Sequence, residues 1–244
     1  MASQVIAESN GLVERGIAAQ NEYRFDDASL FFWHALTCIA ASPDPKERRN
    51  QSRQLASIFF KRTHEDLALL AISEAIRLDE ELKEHEALVF DLIFYGNVHM
   101  RLGNTDEAKA TFADVIQRCV EVGDYGNAAS ASTNLAMLTA NSGDGAGAIK
   151  LLSKSLQYLT KKSFPDTELI THMTMIQTVH VHGGDPALAV ESGIAIGKKF
   201  ADRLTDEHRQ ILVQPLQKAV DAYLDKKPQP NPAAWKKENL AWLY

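Results

Sequence analysis

Gly96-Asn97-Val98-His99-Met100-Arg101-Leu102-Gly103-Asn104-Thr105-Asp106-Glu107-Ala108-Lys109-Ala110-Thr111-Phe112 is the stretch whose pattern decides the fold. Gly103 can end one helix in a left-handed conformation. Asn104 can cap the next helix, with Glu107 three residues on as its box partner. Read outward, the alanine at 108 recurs as Ala28, Ala68, Ala108, Ala148 and Ala189, in steps of 40, 40, 40 and 41. Other residues travel with it. Four later come Phe32, Ile72, Phe112, Leu152 and Gly193, and seven later Ala35, Ala75, Val115, Ser155 and Ile196. Twelve earlier come Gly16, Ala56, Gly96, Ala136 and Gln177. A fixed period of this size marks stacked helical repeats.

Each unit reads as helix, tight turn, helix. The predicted helices are 3–21 and 26–41, 45–62 and 65–79, 83–102 and 105–122, 125–141 and 145–161, then 166–182 and 186–202. Gly143-Asp144 and Gly184-Asp185-Pro186 repeat the turn chemistry of Gly103-Asn104, whereas Tyr23 to Asp27 and Arg62 to Asp66 fill the slot without glycine. A further helix over 205–225 has no matching alanine and should cover the open apolar face of the last unit. Lys226 to Pro232 breaks regular structure, and a short helix capped by Asn231 and begun by Pro232 is expected in the tail. The expectation is an all-α, right-handed superhelical solenoid of five helix pairs over 1–225. The units are about 3–41, 45–79, 83–122, 125–161 and 166–202, and 226–244 forms a proline-rich linker and aromatic tail.

Composition narrows the function. The 244 residues carry a net charge of −6 with the two signs interspersed, and 45% are hydrophobic. With no basic stripe to neutralise phosphates, duplex nucleic acid is not an expected partner. No run approaches the roughly 20 apolar residues that span a bilayer, and the first residues do not have the form of a secretory signal. Cys38 and Cys119 lie far apart, in no metal-like spacing, and read as thiols in a reducing compartment. The expected location is the cytoplasm.

The set Gly96, Gly103, Ala108 and Phe112, followed by Gly16, Phe25, Ala28, Phe32 and Ala35, resembles the tetratricopeptide repeat (TPR). The resemblance covers roughly residues 5 to 203. The usual TPR period is about 34 residues, so the period of 40 here is similar to the long-repeat branch, which includes kinesin light chains and bacterial peptide-sensing regulators. The fifth unit departs from the pattern at Gln177 and Gly193, as terminal units often do. The resemblance implies paired helices that present a concave groove to a protein or peptide partner.

No catalytic constellation stands out, and neither enzymatic activity nor a cofactor is expected. His180 and His182 are two apart on a predicted helix, so they point to different faces; chelation wants a spacing of three or four. Carboxylate pairs such as Asp26-Asp27 and Asp106-Glu107 sit at helix starts, where they complement the dipole. The groove is therefore the place to look. Residues forty apart on the first helices should line it, as in the row Ile17, Ser57, Asn97, Met137 and Thr178. An asparagine amide offers one acceptor and two donors, enough to hold the backbone of an extended peptide. Peptide-binding TPR members carry groove asparagines where Asn97 and Asn134 stand, and this backbone grip is what the resemblance implies. The chaperone-tail clamp is not carried over, because Ile93, Thr171 and Met175 replace its basic residues. Lys61, Arg101 and Arg53 would attract an acidic segment. Met137, Thr133 and Asn141 complete the expected contacts.

Trp235, Leu240, Trp242 and Tyr244 crowd the tail, which reads either as a lid on the last helices or as an anchor for a partner. It would also serve to join two copies of the chain. The function expected is a non-enzymatic scaffold or adaptor for an extended peptide or helix of a partner. The alternative is a receptor for a small signalling peptide that regulates another protein.

Overall fold

The computed structural model describes residues 2–243, with side chains from residue 4 onward. All regular structure among them is helical. The first six α-helices are α1 Ala2–Asn21, α2 Phe25–Ala40, α3 Pro45–Lys61, α4 Glu65–Leu82, α5 His85–Leu102 and α6 Thr105–Val122. They are followed by α7 Tyr125–Asn141, α8 Gly145–Lys161, α9 Pro165–His182, α10 Pro186–Lys199, α11 Asp206–Lys226 and α12 Pro232–Leu240.

The helix ends carry the signals that their residues announce. The Asp44 carboxylate accepts from the Lys46 and Glu47 amides, with Pro45 in the first turn of α3. Asp144 and Asp185 cap α8 and α10 in the same way. Thr205 and His208 form a reciprocal box at the start of α11, and Asn231 caps α12. These caps satisfy amides that the helix itself leaves unpaired. Gly103 (φ 79°) and Gly143 (φ 90°) close α5 and α7. Where the turn lacks glycine, Tyr23 (φ 60°) and Thr63 (φ 62°) take the left-handed conformation themselves, at a cost of about 1 kcal/mol or more each.

Two helix ends differ from expectation. α4 continues to Leu82, because nothing in Asp79-Glu80-Glu81-Leu82 opposes a helix. It closes at left-handed Lys83 with the Glu84 amide donating to the Asp79 carbonyl at 2.9 Å. α10 stops at Lys199; Phe200 leaves the helical region (φ −136°) as it buries its ring, and Ala201–Arg203 forms a 3-10 turn.

The chain divides into two compact units, Met1–Val115 and Ile116–Tyr244, with the division inside α6. In the first unit α1 packs on α2, α3 on α4, and α4 on α5. Ala28, Ala68 and Ala108 are fully buried, as are Phe32, Ile72 and Phe112. The small residue twelve before each alanine belongs with the large one four after it. A Cβ at Gly96 would stand 2.7 Å from the Phe112 ring, and Gly16 lies against Phe32 in the same way. Glycine thus lets the ring rest directly on the neighbouring helix, and dense packing leaves no room for more.

In the second unit α7 packs on α8, α8 on α9, and α9 on α10. Ala148, Ala189, Leu152 and Ile196 are fully buried. The departures in the last hairpin have a physical use. A Cβ at Gly193 would stand 2.6 Å from Leu216 of α11, and the Gln177 amide donates to the Ile211 carbonyl of α11 at 2.7 Å. The degenerate positions are thus the seat of the capping helix.

The tail docks on that same end. Trp235 stacks on Tyr223 with centroids 5.8 Å apart. Leu240 and Leu243 are buried, and the Trp242 ring lies over Gly197. Arg209 donates to the carbonyl of Ala201 at 2.8 Å and to that of Trp242. Of the four tail residues read as a partner anchor, Leu240 and Trp242 are spent on the chain's own core and Trp235 is half-buried against Tyr223. Tyr244 lies outside the described residues. Docking removes these apolar side chains from water.

Candidate ligand groove

Within the second unit, α9 touches both α7 and α11. The three enclose an open groove of about 740 Å³, within the roughly 300–1,000 Å³ range of ligand pockets. Its apolar wall is Met137 of α7, Ile170, Met173 and Val181 of α9, and Ile211 of α11. Ile170, Val181 and Ile211 are 48%, 68% and 47% exposed. On α9 the lining positions 170, 173, 174, 177, 178 and 181 follow a spacing of three and four, so they form one helical face. Asn141, Thr174, Gln177 and Thr178 supply amides and hydroxyls among the methyl groups.

Charge is scarce in this groove. Asp166 and Arg203 both line it and pair with each other. His182 and His208 are the remaining titratable side chains of the lining. His172 belongs to the core of the same unit. Burial pushes its pKa down to about 4, and its Nδ1 lies 3.1 Å from the Ser192 hydroxyl. Among the described residues no three His, Cys, Asp or Glu side chains gather as metal ligands would.

The structure sorts the sequence-predicted contacts. Met137 and Asn141 line the groove together. Thr133 does not reach it. Its side chain is buried and hydrogen-bonded to the Ser155 hydroxyl (2.9 Å), the Thr171 hydroxyl (2.8 Å) and the Ala129 carbonyl (3.0 Å). Thr133 is thus a core residue, because a buried hydroxyl must find partners within the fold. Asn134 is half-buried and engaged within the chain.

In the first unit Asn97 is likewise half-buried and engaged. Arg53 differs from its expected role, since its guanidinium is bound to the buried carboxylates of Asp91 and Asp79. Arg101 pairs with Glu65 and lies 4.0 Å over the Phe60 ring. Lys61 is exposed at the end of α3. The cations picked out for an acidic ligand are therefore largely neutralised by the chain's own carboxylates.

Sequence reasoning missed Ile170, Met173, Val181 and Ile211. The signal was there in α9. Leu169, Ile176 and Val179 supply its buried stripe, and Ile170, Met173 and Val181 form a second apolar face. A helix apolar on more than one face has two surfaces to cover.

No family model matches the chain, and no curated protein matches it. Solved structures do. A Rap protein complexed with Competence and Sporulation Factor is similar over 90% of this chain and 64% of its own length (TM-score 0.62, 13% identity). The apo form of RapI is similar over 90% and 84% (0.59, 12%). The Rap conjugation gene regulator of the plasmid pLS20, in complex with the Phr* peptide, is similar over 96% and 64% (0.56, 12%). A putative kinesin light chain of Podosopora anserina with nearly identical TPR-like repeats is similar over 89% and 95% (0.51, 13%). The chain therefore spans less than two thirds of the length of two of these Rap proteins. At such identities the likeness speaks for fold alone, and the fold is that of a TPR-like helical repeat.

Proposed function

We propose that the chain is a non-enzymatic binding module that holds a peptide, or an extended segment of a partner protein, on the first helices of its hairpins. The observation that carries this reading is the groove of α7, α9 and α11, where exposed methyl groups alternate with amides and hydroxyls. An extended peptide needs that combination: apolar contacts for side chains and hydrogen-bonding groups for the backbone. Asn97 and Asn134 are proposed as further backbone contacts, and Arg101 and Lys61 as contacts at the rim of the first unit.

A second reading makes the ligand a small signalling peptide whose binding regulates another protein. It is favoured by the likeness in fold to two Rap structures, one complexed with Competence and Sporulation Factor and one with the Phr* peptide. No described helix is long and apolar enough to cross a membrane. With its two free thiols, the chain suits a reducing compartment, and we assign it to the cytoplasm with protein rather than nucleic-acid partners.

The test is a displayed peptide library panned against the full chain, followed by Ile170→Asp and the Asn97→Ala/Asn134→Ala pair. Retention of selected peptides should fall at least about tenfold in Ile170→Asp, with the helical circular dichroism signal and melting unchanged. Selected peptides that bind this variant as well as the parent would move the site elsewhere.

A further inference from the structure

We infer that the groove of α7, α9 and α11 selects an uncharged, apolar peptide segment and discriminates against acidic and basic ones. This rests on the peptide-binding reading above and fixes the chemistry of the ligand.

The argument is one of charge complementarity. A ligand carboxylate or ammonium that enters a partly desolvated groove loses hydration and must find a counter-charge. The lining offers one carboxylate and one guanidinium, Asp166 and Arg203, and each already has the other as partner. That pair is itself solvated, Asp166 being 82% exposed, so it offers an entering charge only a weak, water-screened contact and no buried counter-charge. Apart from His182 and His208, the other polar groups on the wall, Asn141, Thr174, Gln177 and Thr178, are uncharged amides and hydroxyls that suit a peptide backbone. The apolar groups suit side chains without charge. Met137 and Met173 face the same space, and thioethers adapt to side chains of differing shape. The half-exposed Ile170 and Ile211 and the more exposed Val181 are the surfaces that such side chains would cover, which makes burial the driving force.

The experiment uses the full chain and three fluorescent, end-capped peptides of about six residues, ~20 Å when extended. One is built of Leu, Met, Val, Ser and Gly; the others carry two Asp or two Lys in place of two apolar residues. The expected result is a neutral peptide bound at least about tenfold more tightly than either charged one. Its affinity should change less than about twofold between ~0.05 M and ~0.5 M salt, because screening acts on charges. Ile170→Asp, at a half-exposed position, should weaken the neutral peptide and move the preference toward the Lys peptide. An Asp peptide that binds as tightly as the neutral one, or an affinity that collapses with salt, overturns the inference and leaves peptide binding standing. If none of the three binds, while library-selected peptides do, the inference is also overturned. If no peptide of any kind binds, the reading beneath it goes too.

Discussion

The guanidinium of Arg53 forks onto the carboxylate of Asp91, with Nε 2.5 Å from Oδ1 and Nη2 2.9 Å from Oδ2. Nη2 also lies 3.3 Å from Asp79, and Arg49 holds the other Asp79 oxygen at 2.9 Å. Both carboxylates are fully buried. Three consecutive helices, α3, α4 and α5, thus meet in one network of two positive and two negative side chains. Burial pushes the Asp91 carboxyl up, to about 6, against the downward pull of Arg53.

Removing Arg53 strands the buried carboxylate of Asp91 and leaves Asp79 with Arg49 alone. Arg53→Ala should destabilise the chain by about 3–5 kcal/mol, read from urea unfolding of the full chain. Arg53→Lys keeps the charge but loses the fork, and should fall between the two. An Arg53→Ala protein that unfolds like the parent would return Arg53 to the ligand-binding surface.

Two glycines in helix interiors should respond to alanine with opposite signs. At Gly96 a methyl group would collide with the fully buried Phe112 ring, so Gly96→Ala should cost about 1–3 kcal/mol from overpacking. At Gly11, in α1, nothing beyond the adjacent residues and the helix's own backbone lies within 4 Å of the added Cβ. Gly11→Ala should therefore gain up to about 1 kcal/mol from helix propensity alone. Thermal melts of the two variants check the pair; equal shifts would mean that the Phe112 contact is looser than it looks.

His172 should make the chain acid-sensitive. Burial holds its folded pKa near 4, with Glu168 pulling up and Lys199 pushing down. Unfolded, it should titrate near 6.5. Above about pH 6.5 it is neutral in both states. Between about 6.5 and 4 only the unfolded chain takes the proton, so stability falls with acid, by about 3 kcal/mol at most. Below 4 the contribution is flat. His172→Gln should remove this slope from the pH dependence of unfolding; a variant with the parent's slope would assign it to other groups.

Deleting residues 229–244 uncovers the surface that Leu240, Leu243 and Trp242 occupy. At about 1.5–3 kcal/mol per fully buried large apolar side chain, the melting temperature should drop by several degrees. Unchanged melting together with the loss of a binding partner would restore the tail as an anchor.

How much of this was legible in the sequence can be argued from a few residues. The five alanines forty or forty-one apart are each fully buried, because a repeated contact forces a repeated residue. Asp144, Asp185 and Asn231 announced their helix starts, because capping is a contact between near neighbours in sequence. The role of Arg53 was not legible. Its partners lie 26 and 38 residues away, and a solvent-facing arginine is written the same way as a buried one.

The sequence by itself determined the helices, their turns and the period that makes them pack in order, since each depends on short-range spacing. Only the tertiary structure decided which polar side chains are spent inside the fold. Thr133 went to a buried hydroxyl network and Arg53 to two carboxylates, while Ile170 and Ile211 kept an apolar face open. The physical reason is that burial assigns partners across helices, and no periodicity within one helix records which charge another helix will bring.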